Sequence, residues 1–149
     1  MWNIPYSVDG QAQVVWVREV HSREITKAVT ACPHMFQARI PKVFDSRVTA
    51  VGDRLFGSRI DSPDLDWRYR QDRMHCSPID VPSSIAESVA RYLAAFQLTF
   101  GAFDFAVTAD GTWHFLECNP NGQWAWQPTG TTHRIAHAIA DRLERGRDR

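Results

Sequence analysis

The sequence predicts an α+β fold, an antiparallel sheet with helices on one face. Three observations predict it. Gly52-Asp53 and Asp110-Gly111 each join two runs of β-forming residues, a hairpin signal. Two segments carry apolar residues at helical spacing, one from Ile85 to about Gln97 and one from near Thr132 onward. The chain has 149 residues, is 44% hydrophobic and 23% charged, and so fits a single average domain with a real core.

The elements follow in order. Asp9-Gly10 marks a turn, and Val14 to Val20 reads as a short strand. A short helix is expected around Ile25 to Thr30. The stretch from Pro33 to Ile60 is strand-rich, with Val48 to Val51 and Leu55 to Ile60 flanking the first hairpin turn. The segment DSPDLDWRYRQDRMHCSPIDVPSS, rich in Pro, Asp and Ser, reads as a loop inside the domain. Ser84 and Glu87 fit a capping box for the next helix, whose buried stripe is Ile85, Val89, Tyr92 and Phe96. The second hairpin runs Phe103 to Thr108 and Trp113 to Cys118. The last helix buries Ile135, Ile139 and Leu143, and the tail ERGRDR frays.

Charge and composition exclude several classes. Lys+Arg and Asp+Glu are both 17, so the formal net charge is zero, which removes the electrostatic case for a nucleic-acid or membrane-surface partner. No apolar run approaches the ~18 residues of a membrane span. The three cysteines, Cys32, Cys76 and Cys118, are widely spaced and form no CxxC. With no signal-peptide pattern, they read as reduced thiols of a cytoplasmic protein.

The second hairpin carries the chemistry. With Asp110-Gly111 as a two-residue type I′ turn, Ala109 faces Thr112, Phe105 faces Leu116 and Asp104 faces Glu117. Residues directly opposite share a sheet face, with Cβ atoms ~5 Å apart. Asn119 falls on that same face, as does Phe115, while His114 points away. Two facing carboxylates repel, and a hard divalent cation removes the repulsion. The pattern reads either as a magnesium site or as a solvated hairpin end with two ordinary acidic residues. A one-residue slip would part the carboxylates.

The run GAFDFAVTADGTWHFLECNPNGQW resembles the magnesium-binding end of an ATP-grasp ligase: Asp on one strand, Glu-x-Asn on the next. More narrowly it resembles the RimK-like ligases that mature ribosomal peptides, the graspetide or microviridin-type macrocycle-forming enzymes. FQARIPKVFDSRVTAVGDRLF and DLDWR fit the same family in the same order, from about Val14 to Leu143. The resemblance implies the C-terminal ATP-grasp subdomain. It implies magnesium held by Asp104, Glu117 and Asn119, and ATP whose adenine edge is read by the backbone of Ala38, Arg39 and Ile40. Phe115 would form part of the adenine floor, Asp45 would contact the nucleotide, and Arg47, Arg59 and Arg68 would contact phosphates, with Lys42 a weaker candidate. Each has a plainer reading. Arg47 and Arg59 are also ordinary strand-surface charges, Asp45 a turn cap, and Trp67 a loop anchor beside Arg68. A two-residue loop at Gly52-Asp53 puts Arg47 and Arg59 on opposite faces, and a three-residue loop puts them together.

The implied reaction is ATP-dependent ligation. An Asp or Glu side chain of a precursor peptide becomes an acyl-phosphate, and a Lys amine or Ser/Thr hydroxyl displaces phosphate to leave an amide or ester crosslink. The family's N-terminal domain, its phosphate-contacting lysine and its glycine-rich loop have no counterpart here, and Lys27 does not match the lysine strand. The expectation is therefore the C-terminal half of a ligase: a truncation, a decayed copy, or a split subunit working with a separate N-terminal half or as a homodimer. Three other readings compete. His133 and His137, four apart, have a chelating spacing for zinc, but the Glu of HExxH is missing. A non-catalytic nucleotide- or peptide-binding module would use Trp124 and Trp126, unless one of them packs in the core. A structural role would involve no nucleotide at all.

Overall fold

The computed structural model describes residues 6–13 and 16–145. Tyr6–Val8 (β1) and Gln11–Gln13 (β2) form a small separate hairpin. Asp9 and Gly10 have φ of 52° and 77°, the left-handed pair of a type I′ turn, as Asp-Gly predicts. The strand expected from Val14 to Val20 is not found: residues 16–20 have no regular structure, and Val14 and Val15 lie outside the described residues. Two 3-10 helices, Ser22–Glu24 and Lys27–Ala31, take the place of the expected short helix.

Five strands make the main sheet: Lys42–Val51 (β3), Arg54–Asp61 (β4), His75–Ile79 (β5), Phe100–Thr108 (β6) and Trp113–Asn119 (β7). Every neighbouring pair is antiparallel, in the order β5-β4-β3-β6-β7. Ser83–Ala95 (α1) links β5 to β6, and Thr129–Arg145 (α2) follows β7. The α+β class and the antiparallel sheet are as the sequence predicts. β5 lies inside the stretch read as a loop. It contains Pro78, which an edge strand tolerates because no further ladder bond is needed there.

The helices do not share a face. Asp45 to Val51 of β3 are all buried, so the central strand is covered on both sides. α1 packs Val89 and Leu93 against Val48, Ala50, Phe103 and Phe105. α2 packs Ile135 and Ala138 against Val51 and Phe56, the opposite face by alternation along β3. Together with the loop from Asn119 to Pro128, α2 covers one end of that second face and leaves the other end to charged residues. Two details of the helices also differ from the expectation. α1 starts at Ser83 behind Pro82 with no side-chain cap, so the Ser84–Glu87 box is not formed. Phe96 and Leu143 continue their stripes in sequence but are exposed, because each lies at or beyond the end of the packed part of its helix.

Gln127 pins the crossing loop to the second face. Its Nε2 donates to Thr49 Oγ1 at 2.9 Å, and Ser58 Oγ donates to its Oε1 at 2.7 Å. All three residues are buried. Gly122, in the same loop, passes so close to the sheet that an added Cβ would run into that of Ala102. Among the described residues no helix is long and apolar enough to cross a membrane.

Gln127→Leu leaves the Ser58 and Thr49 hydroxyls buried without this partner. The expected loss is about 1–3 kcal/mol in urea unfolding. A loss no larger than that of an exposed substitution such as Gln71→Leu would mean that the bridge does not hold the loop.

Candidate functional site

The β6–β7 hairpin brings Asp104 opposite Glu117 and Ala102 opposite Asn119. Asp104, Glu117 and Asn119 therefore lie on one face, as the sequence predicts. The route to that register is different. Thr108 N–H donates to Thr112 O, and Gly111 has a φ of 82°, so the loop is the three-residue Ala109-Asp110-Gly111. Phe105 faces Phe115, and Leu116 is an extra residue bulged out before Glu117. The bulge restores the pairing that the longer loop would have shifted. The longer loop also exchanges two side chains between faces. Phe115 stacks near Tyr92, Phe103 and Phe105 on the α1 side. That overturns its expected place beside Glu117. His114 faces Ala106 and so comes to the carboxylate side.

Two guanidinium groups meet the carboxylates. Arg47, directly across from Asp104 on β3, holds it with both prongs: Nε to Oδ1 at 2.5 Å and Nη2 to Oδ2 at 3.1 Å. Arg68, from the loop after β4, places one nitrogen between the acids, with Nη2 at 2.6 Å from Asp104 Oδ2 and 3.1 Å from Glu117 Oε1. Burial pushes the Asp104 carboxyl up from the usual carboxylate range, against Arg47 and Arg68, which pull it down. A third ion pair lies nearby: Lys42 Nζ donates to Asp45 Oδ2 at 2.6 Å and to Leu65 O at 2.7 Å. Burial pushes Asp45 up, and Lys42 opposes it. The site thus alternates Lys42, Arg47 and Arg68 with Asp45, Asp104 and Glu117.

Aromatic rings complete it. Trp67 and Trp126 pack on each other with ring centroids 4.8 Å apart, and the Arg47 guanidinium lies to one side of the pair, 5.8 Å and 5.7 Å from the two centroids. Arg68 lies over Trp67 at 4.6 Å. These contacts are cation–π in kind and exclude water from the pair below. Trp126 was legible only as one of two tryptophans near the motif. Trp124 is the one that joins the core, packing with Ile135 and Ala138.

The remaining candidates scatter. The Gly52-Asp53 loop has two residues, with Val51 facing Arg54, so Arg59 pairs with Ser46 and lies on the α1 side, away from Arg47. There it stacks on Phe44 at 4.0 Å and holds Asp61. Ala38 to Ile40 are outside the sheet just before β3, and Arg39 pairs with Glu19 at the surface. His133 and His137 are exposed on α2. Among the described residues no three His, Cys, Asp or Glu side chains gather as a metal site. The donors on this face are the two carboxylates and, one pair further along, the Asn119 amide, whose Oδ1 accepts from Asn121 N–H at 3.1 Å; all offer oxygen. That set fits magnesium rather than zinc.

No protein-family model matches the chain, and no curated protein matches it. Solved structures do. The chain is similar to the macrocyclase MdnC of Microcystis aeruginosa MRC, solved with its precursor peptide MdnA. The TM-score is 0.79 and the identity 30%, over 95% of this chain and 46% of that one. It is similar to a RiPP-associated ATP-grasp ligase of Chryseobacterium gregarium, solved with ADP and a leader and core peptide. There the TM-score is 0.81 and the identity 27%, over 94% and 45% of the two chains. The ATP-grasp ligase PsnB, solved with a phosphomimetic precursor variant, Mg and ADP, shares the fold at a TM-score of 0.63 and 19% identity, over 88% of this chain and 43% of its own. The chain spans about half the length of these structures. The likeness to RiPP-associated ATP-grasp ligases read from the sequence is thus found again in the structure.

Removing Asp104 should harm the fold more than removing Arg47. Asp104→Ala leaves a buried guanidinium that cannot lose its charge, at an expected cost of about 3–5 kcal/mol. Arg47→Met leaves a carboxylate that keeps Arg68 and can take up a proton. With its folded pKa raised above the unfolded value, Asp104 in that variant contributes stability at low pH that is lost as pH rises through the folded pKa. Urea unfolding across pH should therefore show Arg47→Met approaching the parent on acidification. A gap that widens towards low pH would contradict this account.

Proposed function

We propose that this chain is the nucleotide- and magnesium-binding part of a peptide-modifying ATP-grasp ligase. The observation that carries the reading is Asp104 facing Glu117, with Asn119 beside them, on a fold shared along nearly its whole length with ligases solved with precursor peptides. The remaining half of the clamp belongs elsewhere in the polypeptide, to a separate ligase half, or to a second copy.

In this reading Asp104, Glu117 and Asn119 hold magnesium, which would neutralise phosphate charge and orient the transferred group. Arg47 keeps both oxygens of Asp104 in place and itself lies against a packed pair of tryptophans. Arg68 supplies a planar cation at the rim of the site, partly exposed, suited to a phosphate oxygen. Lys42 and Asp45 fix the loop that carries Arg68. The stretch Ala38 to Ile40, exposed at Ala38 and Arg39, offers backbone hydrogen-bonding groups to an adenine edge, with Ile40 O already accepting from Lys42 N–H. Phe115 and Arg59, turned to the other face, have no part in it.

The reaction is acyl activation and transfer. A carboxylate oxygen of the precursor peptide attacks the γ-phosphorus of ATP, and ADP leaves. A Lys amine or a Ser/Thr hydroxyl then attacks the acyl-phosphate, loses its proton and expels phosphate, giving an amide or ester crosslink. The chain's residues position the groups and balance charge, and form no covalent bond themselves.

Calorimetric titration with a non-hydrolysable ATP analogue tests this. Binding should require magnesium and fall by about tenfold or more in Glu117→Gln, one charge-assisted ligand being worth at least ~1.4 kcal/mol. Binding that ignores magnesium, or that is unchanged in the variant, would remove the proposed ligand set.

A further inference from the structure

We propose that Arg68 is a built-in stand-in for the metal ion, filling the gap between Asp104 and Glu117 and displaced when magnesium enters. The proposal rests on the reading of Asp104, Glu117 and Asn119 as magnesium ligands.

The geometry is specific to one nitrogen. Arg68 Nη2 donates to Asp104 Oδ2 at 2.6 Å and to Glu117 Oε1 at 3.1 Å. A magnesium ion joined to both acids takes those oxygens at about 2.1 Å. Guanidinium and dication then compete for the same oxygens and repel each other across a poorly solvated gap. They are alternative occupants.

The two arginines on Asp104 are built differently. Arg47 comes from the central strand, is buried, holds both carboxylate oxygens and lies against the packed pair of Trp67 and Trp126. Nothing about it is arranged to move. Arg68 comes from a loop, and its side chain is 28% exposed against 6% for Arg47. It also makes contacts in the same pose that do not involve the two facing acids. Its guanidinium lies over Trp67 at 4.6 Å, and Nη1 is 3.4 Å from Asp66 Oδ1. Its backbone N–H donates to the same Asp66 oxygen at 3.1 Å, so the loop backbone stays fixed while the side chain swings. Asp66 and Trp67 receive the group that the metal expels.

The arrangement serves both states. Before metal arrives, Arg68 screens two facing acids that would otherwise repel within the sheet. Once metal holds them, the released guanidinium faces the anion that accompanies it. Metal entry and the freeing of a phosphate-binding cation become one event.

The test uses manganese as an EPR-visible substitute, titrated without nucleotide into the chain and into Arg68→Met, Arg68→Gln and Glu117→Gln. Both Arg68 variants should bind manganese about tenfold more tightly than the parent, the scale of one removed ion pair. Glu117→Gln should bind it more weakly. In the parent chain, magnesium should shift the Arg68 Nε–H NMR signal and leave that of Arg47 in place; this reading stands even if an Arg68 variant fails to fold. Metal bound equally by parent and Arg68 variants, with an unmoved Arg68 signal, overturns the stand-in and leaves the magnesium site intact. No metal binding by any of the proteins overturns the magnesium reading and the stand-in with it.

Discussion

Two carboxylates facing each other on a covered sheet face are the constraint around which this structure is arranged. Asp104 and Glu117 sit on adjacent strands, and Asp104 is almost fully buried. A bare pair of that kind does not persist in a medium of low dielectric. The partner must be cationic and must come from elsewhere in the chain. Arg47 comes from β3, because β3 lies next to β6 and its register puts Arg47 directly across from Asp104. A lysine at that position would hold one oxygen, whereas the guanidinium fork holds two and still lies within cation–π reach of Trp67 and Trp126.

The second cation explains the order of a loop whose composition favours none. The segment after β4 has no apolar periodicity, yet many of its polar groups are engaged. Lys42 reaches Leu65 O, Arg70 holds Asp64, Ser62 Oγ accepts from Asp64 N–H, and Asp66 caps the backbone of Arg68. Trp67 is the apolar anchor, one of the few buried residues outside the main strands and helices. The loop is held by the site as much as it holds the site.

Much of this was legible in the sequence. Gly and Asp marked the turns of all three hairpins, though at Asp9-Gly10 only the turn and not its strands, and the 3.6 period marked both helices, because those signals are local. Glu117 and Asn119 opposite the Asp104 strand were legible for the same reason. What escaped depends on distance in the chain. No local pattern shows that α1 and α2 take opposite faces; β3 shows it through burial on both sides, which reads in sequence only as a short mixed run, FDSRVTAV. β5 was hidden by Pro78 and by polar neighbours, as edge strands often are. Arg68 was identified by resemblance as a phosphate contact, but its bond to two acids some 36 and 49 positions away has no sequence signature. Arg47 was read as a phosphate contact too, and its burial with both prongs on Asp104 has no signature in the sequence either.

The register of β7 carries the sharpest lesson. A two-residue turn at Asp110-Gly111 predicts Asp104 opposite Glu117, and that pairing is found, but the loop has three residues and Leu116 is bulged. Two departures cancel. The cancellation has a physical cause, because β7 answers to two demands. Trp113 and Phe115 pack near Phe105 against the α1 side, while Glu117 and Asn119 must face Asp104 and Ala102 on the other. Residues 113, 115, 117 and 119 fall on one side of an unbroken strand. A single extra residue between Phe115 and Glu117 is the smallest change that divides them. The bulge therefore marks the boundary between the part of β7 that belongs to the core and the part that belongs to the site. A turn motif read alone cannot place that boundary, since it lies where burial changes sides.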